Sequence, residues 1–194
     1  MRGQARRRAI LDAALECFLA KGVAGATLEE VLDLSRSSTG SVYHHFGNKV
    51  ELAATLYLET LESYQRGFLS RLEQLHGARE GIEGMVRHHL RWVRENPRLA
   101  RYLTHCREPE VVEASEKRAQ ELNARFFSAV LGWLGQYARE GEIRRLPADL
   151  YLALWLGPSD EFTRIWLAGD RAEARLRTAS RVLAGAAWDA LKAS

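Results

Sequence analysis

The sequence predicts an all-α protein of about nine helices, a three-helix N-terminal head followed by a larger helical remainder. Three observations predict it. Only 4 prolines interrupt 194 residues, while Ala, Leu, Glu and Arg, all good helix formers, are plentiful. Apolar residues recur at helical spacing along most of the chain, and no stretch alternates as a half-buried strand would. Capping and stop residues fall between the periodic segments.

The elements follow in order. Arg6 to Ala20 carries Ile10, Ala13, Ala14, Cys17 and Phe18 on one face, and Lys21-Gly22 is a stop signal. Thr27 and Glu30 have capping-box spacing and open a helix of about two turns that buries Leu28, Val31 and Leu32. "SRSS" breaks it. Ser37 or Ser38 then caps a third helix running to about Phe46, where Gly47 ends it. Asn48 with Glu51 repeats the capping pattern and starts a long fourth helix through Leu52, Leu56, Leu61, Tyr64, Phe68 and Leu72. The domain boundary is placed there, giving domains 1–50 and 51–194. Further helices are expected over Glu80 to Asn96, Pro97 to Arg107, Val111 to Glu140, Ala148 to Ala168 with a kink at Gly157-Pro158, and Arg171 to Lys192.

Composition excludes several classes. Apolar residues make up 46% and charged residues 27%, which argues against disorder. No apolar run approaches the roughly 18 to 20 residues that cross a bilayer, and acids at Asp12 and Glu16 interrupt the N-terminal segment where a signal peptide needs an apolar core. A cytoplasmic protein without a membrane partner is expected. The two cysteines, Cys17 and Cys106, have no metal spacing and read as free thiols. The net charge is +3, with 7 Lys/Arg against 5 Asp/Glu in residues 1–49, so any nucleic-acid binding must come from a local face. No cofactor or metal is expected. His88-His89 and His105-Cys106 are adjacent pairs that point about 100° apart on a helix, which suits neither metal ligation nor a catalytic constellation.

The stretch "STGSVYHHFGNK" carries the chemistry. Short helix, tight turn, short helix is the arrangement that places a second helix in the major groove of DNA. Ser38, Thr39, Gly40 and Ser41 are small enough to let backbone approach a duplex, and hydroxyls serve either donors or acceptors on base edges. Val42 and Phe46, four apart, point into the head's core. The alternative is a polar surface helix that merely covers that core. Arg6, Arg7 and Arg8 stand at the N-terminus of the first helix, where cations oppose the helix dipole and an anionic partner would offset the cost.

"AILDAALECFLAKGVAGATLEEV" and "STGSVYHHFGNKVEL", with the Tyr-x-x-Phe-x-x-Lys spacing of Tyr43, Phe46 and Lys49, resemble the tetracycline-repressor (TetR/AcrR) family of bacterial transcription regulators. The resemblance covers the first fifty-odd residues; the remainder is similar in architecture. It implies a non-enzymatic, dimeric, sequence-specific DNA-binding regulator, a repressor released from its operator by a small apolar or aromatic ligand. A DNA-binding dimer with no small-molecule switch is the alternative. Thr27, Tyr43 and Lys49 would hold phosphates, with Arg6 and Ser38 beside them, while Thr39, Ser41 and His44 would read bases and Gly40 would allow close approach. Arg36 stands where the family commonly has glycine, and it is expected either to strain the turn or to add a phosphate contact. The implied partners are a double-stranded operator, a small-molecule effector and a second copy packed through the last two helices. For the effector, His89, Trp92, Tyr102, Cys106, Phe126, Trp133 and Trp155 are the candidates, although aromatics at helical spacing are equally the makings of simple packing.

Overall fold

The structure, a computed structural model, describes residues 2–105 and 108–193. These form ten helices: α1 (Arg2–Gly25), α2 (Leu28–Ser35), α3 (Thr39–Phe46), α4 (Lys49–Leu72), α5 (Ala78–Glu95), α6 (Pro97–His105), α7 (Pro109–Glu140), α8 (Ala148–Trp155), α9 (Gly157–Ala168) and α10 (Glu173–Leu191). Among the described residues the only β feature is an isolated antiparallel bridge between Ile143 and Lys192. The tenth helix comes from the kink expected at Gly157-Pro158. Pro158 falls at the start of a new helix there, because a ring without an amide hydrogen belongs in a first turn and not in a helix interior.

The chain packs as two compact units, and neither is a continuous stretch. One comprises residues 1–62 and 98–122, the other residues 63–97 and 123–194. Helices α4 and α7 therefore contribute residues to both.

The first unit is built around Ile10, Leu11, Ala14 and Phe18 of α1, Val31 of α2, Val42 and Phe46 of α3, and Leu52 and Ala53 of α4. Tyr102 and Val111 complete this core from α6 and α7. The Tyr102 ring stacks on Phe18 at 6.3 Å, and its hydroxyl donates to the Ala53 carbonyl at 2.9 Å. A buried phenol needs such an acceptor, and finding one here ties α6 to the head.

The second unit centres on Phe68, Ile82, Met85, Leu90, Leu134 and Trp155, all under 2% exposed. Trp155 donates Nε1–H to the Ile82 carbonyl at 2.9 Å and stacks on Trp133 at 5.7 Å. Trp133 lies so close to α5 that a Cβ on Gly81 would sit 2.2 Å from its ring. Glycine is thus required at 81 by packing, not by backbone conformation.

Candidate nucleic-acid interface and effector site

The head is assembled by local bonds that the sequence announces. Thr27 accepts the Glu30 amide at 3.3 Å, and Glu30 accepts the Thr27 amide at 3.1 Å, which closes the capping box. The Lys21 ammonium pairs with Glu30 and, as the first of its neighbours, holds that carboxyl below its ordinary value. Helix α2 ends at Arg36 with φ 51° and ψ 39°. The left-handed turn that glycine would favour is therefore made by an arginine, at a conformational cost of about 1–2 kcal/mol. Arg36 is exposed.

Helix α3 follows, with Ser38 at its N-cap in extended conformation. The Ser38 side chain does not cap. Its hydroxyl bonds the Ser41 hydroxyl at 3.1 Å. Val42 and Phe46 are buried, while Thr39, Gly40, Tyr43 and His44 are exposed, Tyr43 at 57%. A Cβ on Gly40 would meet no atom within 4 Å. Open space therefore lies where a side chain at 40 would stand.

The N-terminal arginines divide their roles. Arg7 pairs with Glu59 of α4, and its guanidinium lies over the Phe46 ring, 5.2 Å from the centroid. Arg8 pairs with Asp12 at 3.0 Å. Arg6 reaches toward α3, with Nη1 3.5 Å from the Ser41 hydroxyl. Together Gly3, Arg6, Ser38, Gly40, Ser41, His44 and His45 line an open cleft between α1 and α3.

Lys49 has a role that sequence reasoning missed. Its ammonium donates to the carbonyls of Ala24 at 3.1 Å and Ala26 at 2.7 Å. These carbonyls close the last turn of α1, which is offset from the rest of the helix by a break at Gly22 (φ 72°, ψ 167°). At the other end of that turn the Val23 amide, turned out of the helical ladder, donates to the Glu108 carboxylate at 2.9 Å. The elbow between α1 and α2 thus holds an acid at its amide end and a cation at its carbonyl end, the arrangement its dipole favours. Glu108 lies 85 residues away, and no spacing rule could have found it. Removing its acceptor should leave the 3%-exposed Val23 amide unsatisfied. Glu108→Ala is expected to lose about 1–3 kcal/mol of stability, and Glu108→Gln, which keeps an acceptor, should lose less. Urea denaturation of both variants checks the order.

The effector candidates separate. Tyr102 belongs to the core of the first unit, whereas His89, Trp92, Phe126, Trp133 and Trp155 lie in the second. Cys106 lies outside the described residues. Phe126 and Trp155 flank Phe68 at 5.2 and 6.1 Å, and with Trp133 they form a packed aromatic core. His89 and Trp92 meet instead around Tyr64. The Tyr64 hydroxyl is 2.8 Å from His89 Nδ1, and its ring is 4.8 Å from Trp92. On the far side of the imidazole, Nε2 lies 3.2 Å from the Thr163 hydroxyl and 3.4 Å from Asp160 Oδ1. Burial, reinforced by His88, lowers the His89 pKa to about 4, so the ring is neutral near pH 7. An ionised carboxylate can only accept, so Nε2 carries the proton, and Nδ1 accepts from the Tyr64 hydroxyl. Burial, with Asp160 adding to it, raises the Tyr64 phenol and keeps that proton in place. Tyr64, Asp160 and Thr163 were not among the candidates. By period Tyr64 belongs to the apolar face of α4, and the acid is informative only once folding sets it beside a histidine.

On α9 and α10, Ile165 and Val182 are 45% and 56% exposed, and an open, mainly apolar trough runs past Phe162, Ala174, Ala179 and Leu183.

The class these features define is an all-helical protein with a helix-turn-helix head. Residues 10–56 match the family described as bacterial regulatory proteins, tetR family. The regulator SrpR of Pseudomonas putida is 46% identical over 46 residues, a stretch that covers 24% of this chain and 22% of SrpR. The chain thus spans about a fifth of that relative's length. YdeS of Bacillus subtilis, an uncharacterised HTH-type regulator, is 26% identical over 181 residues, covering 87% of this chain and 82% of that one. The fold superposes on the crystal structure of FadR from Bacillus subtilis in complex with stearoyl-CoA with a TM-score of 0.80, at 19% identity and over 94% and 98% of the two chains. The head of this chain thus matches the tetR-family model, and its described residues share the fold of TetR-family regulator structures.

Proposed function

We propose that this protein is a cytoplasmic, homodimeric repressor that reads an operator through α3 and leaves it when a small, largely apolar molecule binds the second unit. The observation that carries the DNA reading is the outward face of α3, where Thr39, Gly40, Tyr43 and His44 are all exposed and open space lies beside Gly40. Thr39, Ser41 and His44 are the base readers in this reading. Tyr43 and Arg6 contact phosphate, with Thr27, Arg36, Ser38 and the remaining N–H of Lys49 beside them. The exposed apolar surface of α9 and α10 supports the dimer, because one short recognition helix reads too few bases to be selective. Two related by a dyad would read half-sites about 34–36 Å apart or a multiple of that. Among the described residues no helix is long and apolar enough to cross a membrane.

Selection of duplexes from a random pool, with sedimentation of the protein alone and with the selected duplex, tests this reading. A palindromic consensus bound by two chains is the expected result. Sequence-blind binding, or a monomer at working concentration, would remove it. A second reading, a DNA-binding dimer with no switch, is favoured by the close packing of Trp133 on Gly81 and Trp155.

A further inference from the structure

The first unit carries a surface groove that the DNA reading leaves unused. Asp12 and Glu16 of α1 line it, one turn apart, with Ala9 and Ala13 of the same helix. The end of α2 adds Leu34 and Arg36, and α6 adds Arg98. The groove is open and holds about 400 Å³. Both acids thus come from one helix, and both cations from outside it. Asp12 pairs with Arg8 and Glu16 with Arg98, but these four side chains are 47–66% exposed. Exposed pairs of this kind contribute little to stability and exchange partners at small cost. Leu34 is the apolar member, 55% exposed, whereas Val31 on the same helix is fully buried. Arg36 stands three residues before Thr39, so the groove reaches the corner that leads into the reading helix.

We propose that this groove takes the same groove of a second copy when two dimers stand side by side on one duplex, so that neighbours bind cooperatively. The proposal rests on the DNA reading above and is separate from the pairing of α9 and α10 within a dimer. Charge argues for a copy of this chain as the occupant. In a contact across a dyad, residue i of one copy faces residue j of the other and the reverse. The acids of α1 then face Arg98 of the neighbour on both sides. Leu34 of each copy enters beside Ala9 and Ala13 of the other, where short side chains leave room. A partner of single sign, nucleic acid included, would meet like charge on one side of the groove.

Size argues that the contact forms only on DNA. A stable interface buries on the order of 1,000 Å² or more, and a groove lined by so few side chains falls short of that. Free copies therefore stay apart. A duplex that holds two copies close raises their effective concentration to about the millimolar range, where a weak contact is made without new affinity. Arg36 stays with the phosphates in this arrangement, at the edge of the groove nearest the duplex.

Gel-shift titration of the full chain on duplexes carrying one selected site, or two at spacings stepped by single base pairs, tests this. At favoured spacings, recurring about every 10.5 base pairs, the second dimer should bind about tenfold or more tighter than the first. Leu34→Glu should bind the single site as before and lose the cooperativity. Glu16→Arg and Arg98→Glu should each lose it too, because every groove then carries one sign. Mixing these two variants should restore it between unlike neighbours, although neither regains its internal pair, a result that a merely structural role would not give. Binding to the single site shows that each variant is folded and serves as its reference. Independent binding at every spacing, cooperativity kept in Leu34→Glu, or no recovery in the mixture would each overturn the proposal and leave the DNA reading intact. Loss of selective binding to the single site in the unaltered protein would remove the DNA reading, and the contact with it. Assembly beyond a dimer without DNA, abolished by Leu34→Glu, would overturn its dependence on the duplex.

Discussion

Replacing Thr39, Ser41 and His44 together by alanine should abolish discrimination between a selected duplex and a scrambled one. Good base contacts contribute about 1–3 kcal/mol of discrimination each. Losing three should lower the ratio of specific to non-specific affinity on the order of 100-fold or more. Alanine is the best helix former, so α3 should persist, and Val42 and Phe46 would still anchor it. Non-specific binding should survive, because Tyr43 and Arg6 are untouched. Competition binding against scrambled DNA gives the ratio, and far-ultraviolet circular dichroism confirms the helix. Tyr43→Ala makes the contrast, since it should weaken all sequences alike and, the phenol being uncharged, leave the salt slope unchanged. If the triple variant kept the ratio, the outward face of α3 would not be the reader.

Trp155→Ala should be among the most destabilising single changes in the second unit. The side chain is 0% exposed, packs on Phe68 and Trp133, and gives its indole hydrogen to the Ile82 carbonyl. Tryptophan-to-alanine changes in cores cost about 3–5 kcal/mol, part lost transfer energy and part the cavity left behind. With Gly81 against Trp133, little is free to move in and fill the gap. Denaturant melts followed by tryptophan fluorescence and by circular dichroism measure the loss. A change below about 1 kcal/mol would mean that the site collapses readily and that the aromatic core is looser than its contacts indicate. Trp155→Phe, with a smaller volume deficit but no donor, should fall between the two.

The head was legible in the sequence because its signals are local. Thr27 and Glu30 are three apart and bond within one turn. Gly22 and Gly47 mark breaks and indeed adopt positive φ. Arg36 was flagged for standing where glycine is expected, and it carries the left-handed conformation itself. Lys49 was visible as part of a spacing, but its docking on Ala24 and Ala26 was not, since those carbonyls are 23 to 25 residues away. The effector candidates were less legible. A helical period marks which face of a helix is buried and says nothing of what it is buried against. Tyr102, Trp133 and His89 look alike by that test. In the structure Tyr102 closes the first unit's core, Trp133 packs on a glycine, and His89 joins a polar chain with Tyr64 and Asp160.

By itself the sequence determined the class of fold, the helix-turn-helix and its breaks, and which face of α3 stays polar. Those follow from propensity, capping and period, which act over a few residues. Only the tertiary structure decided that Glu108 and Lys49 hold the two ends of the α1–α2 elbow, that Arg7 braces Phe46 while Arg6 faces Ser41, and that Asp160 stands desolvated beside a neutral histidine. Burial and pairing depend on which distant groups the folded chain brings within a few ångströms, and no local pattern encodes that.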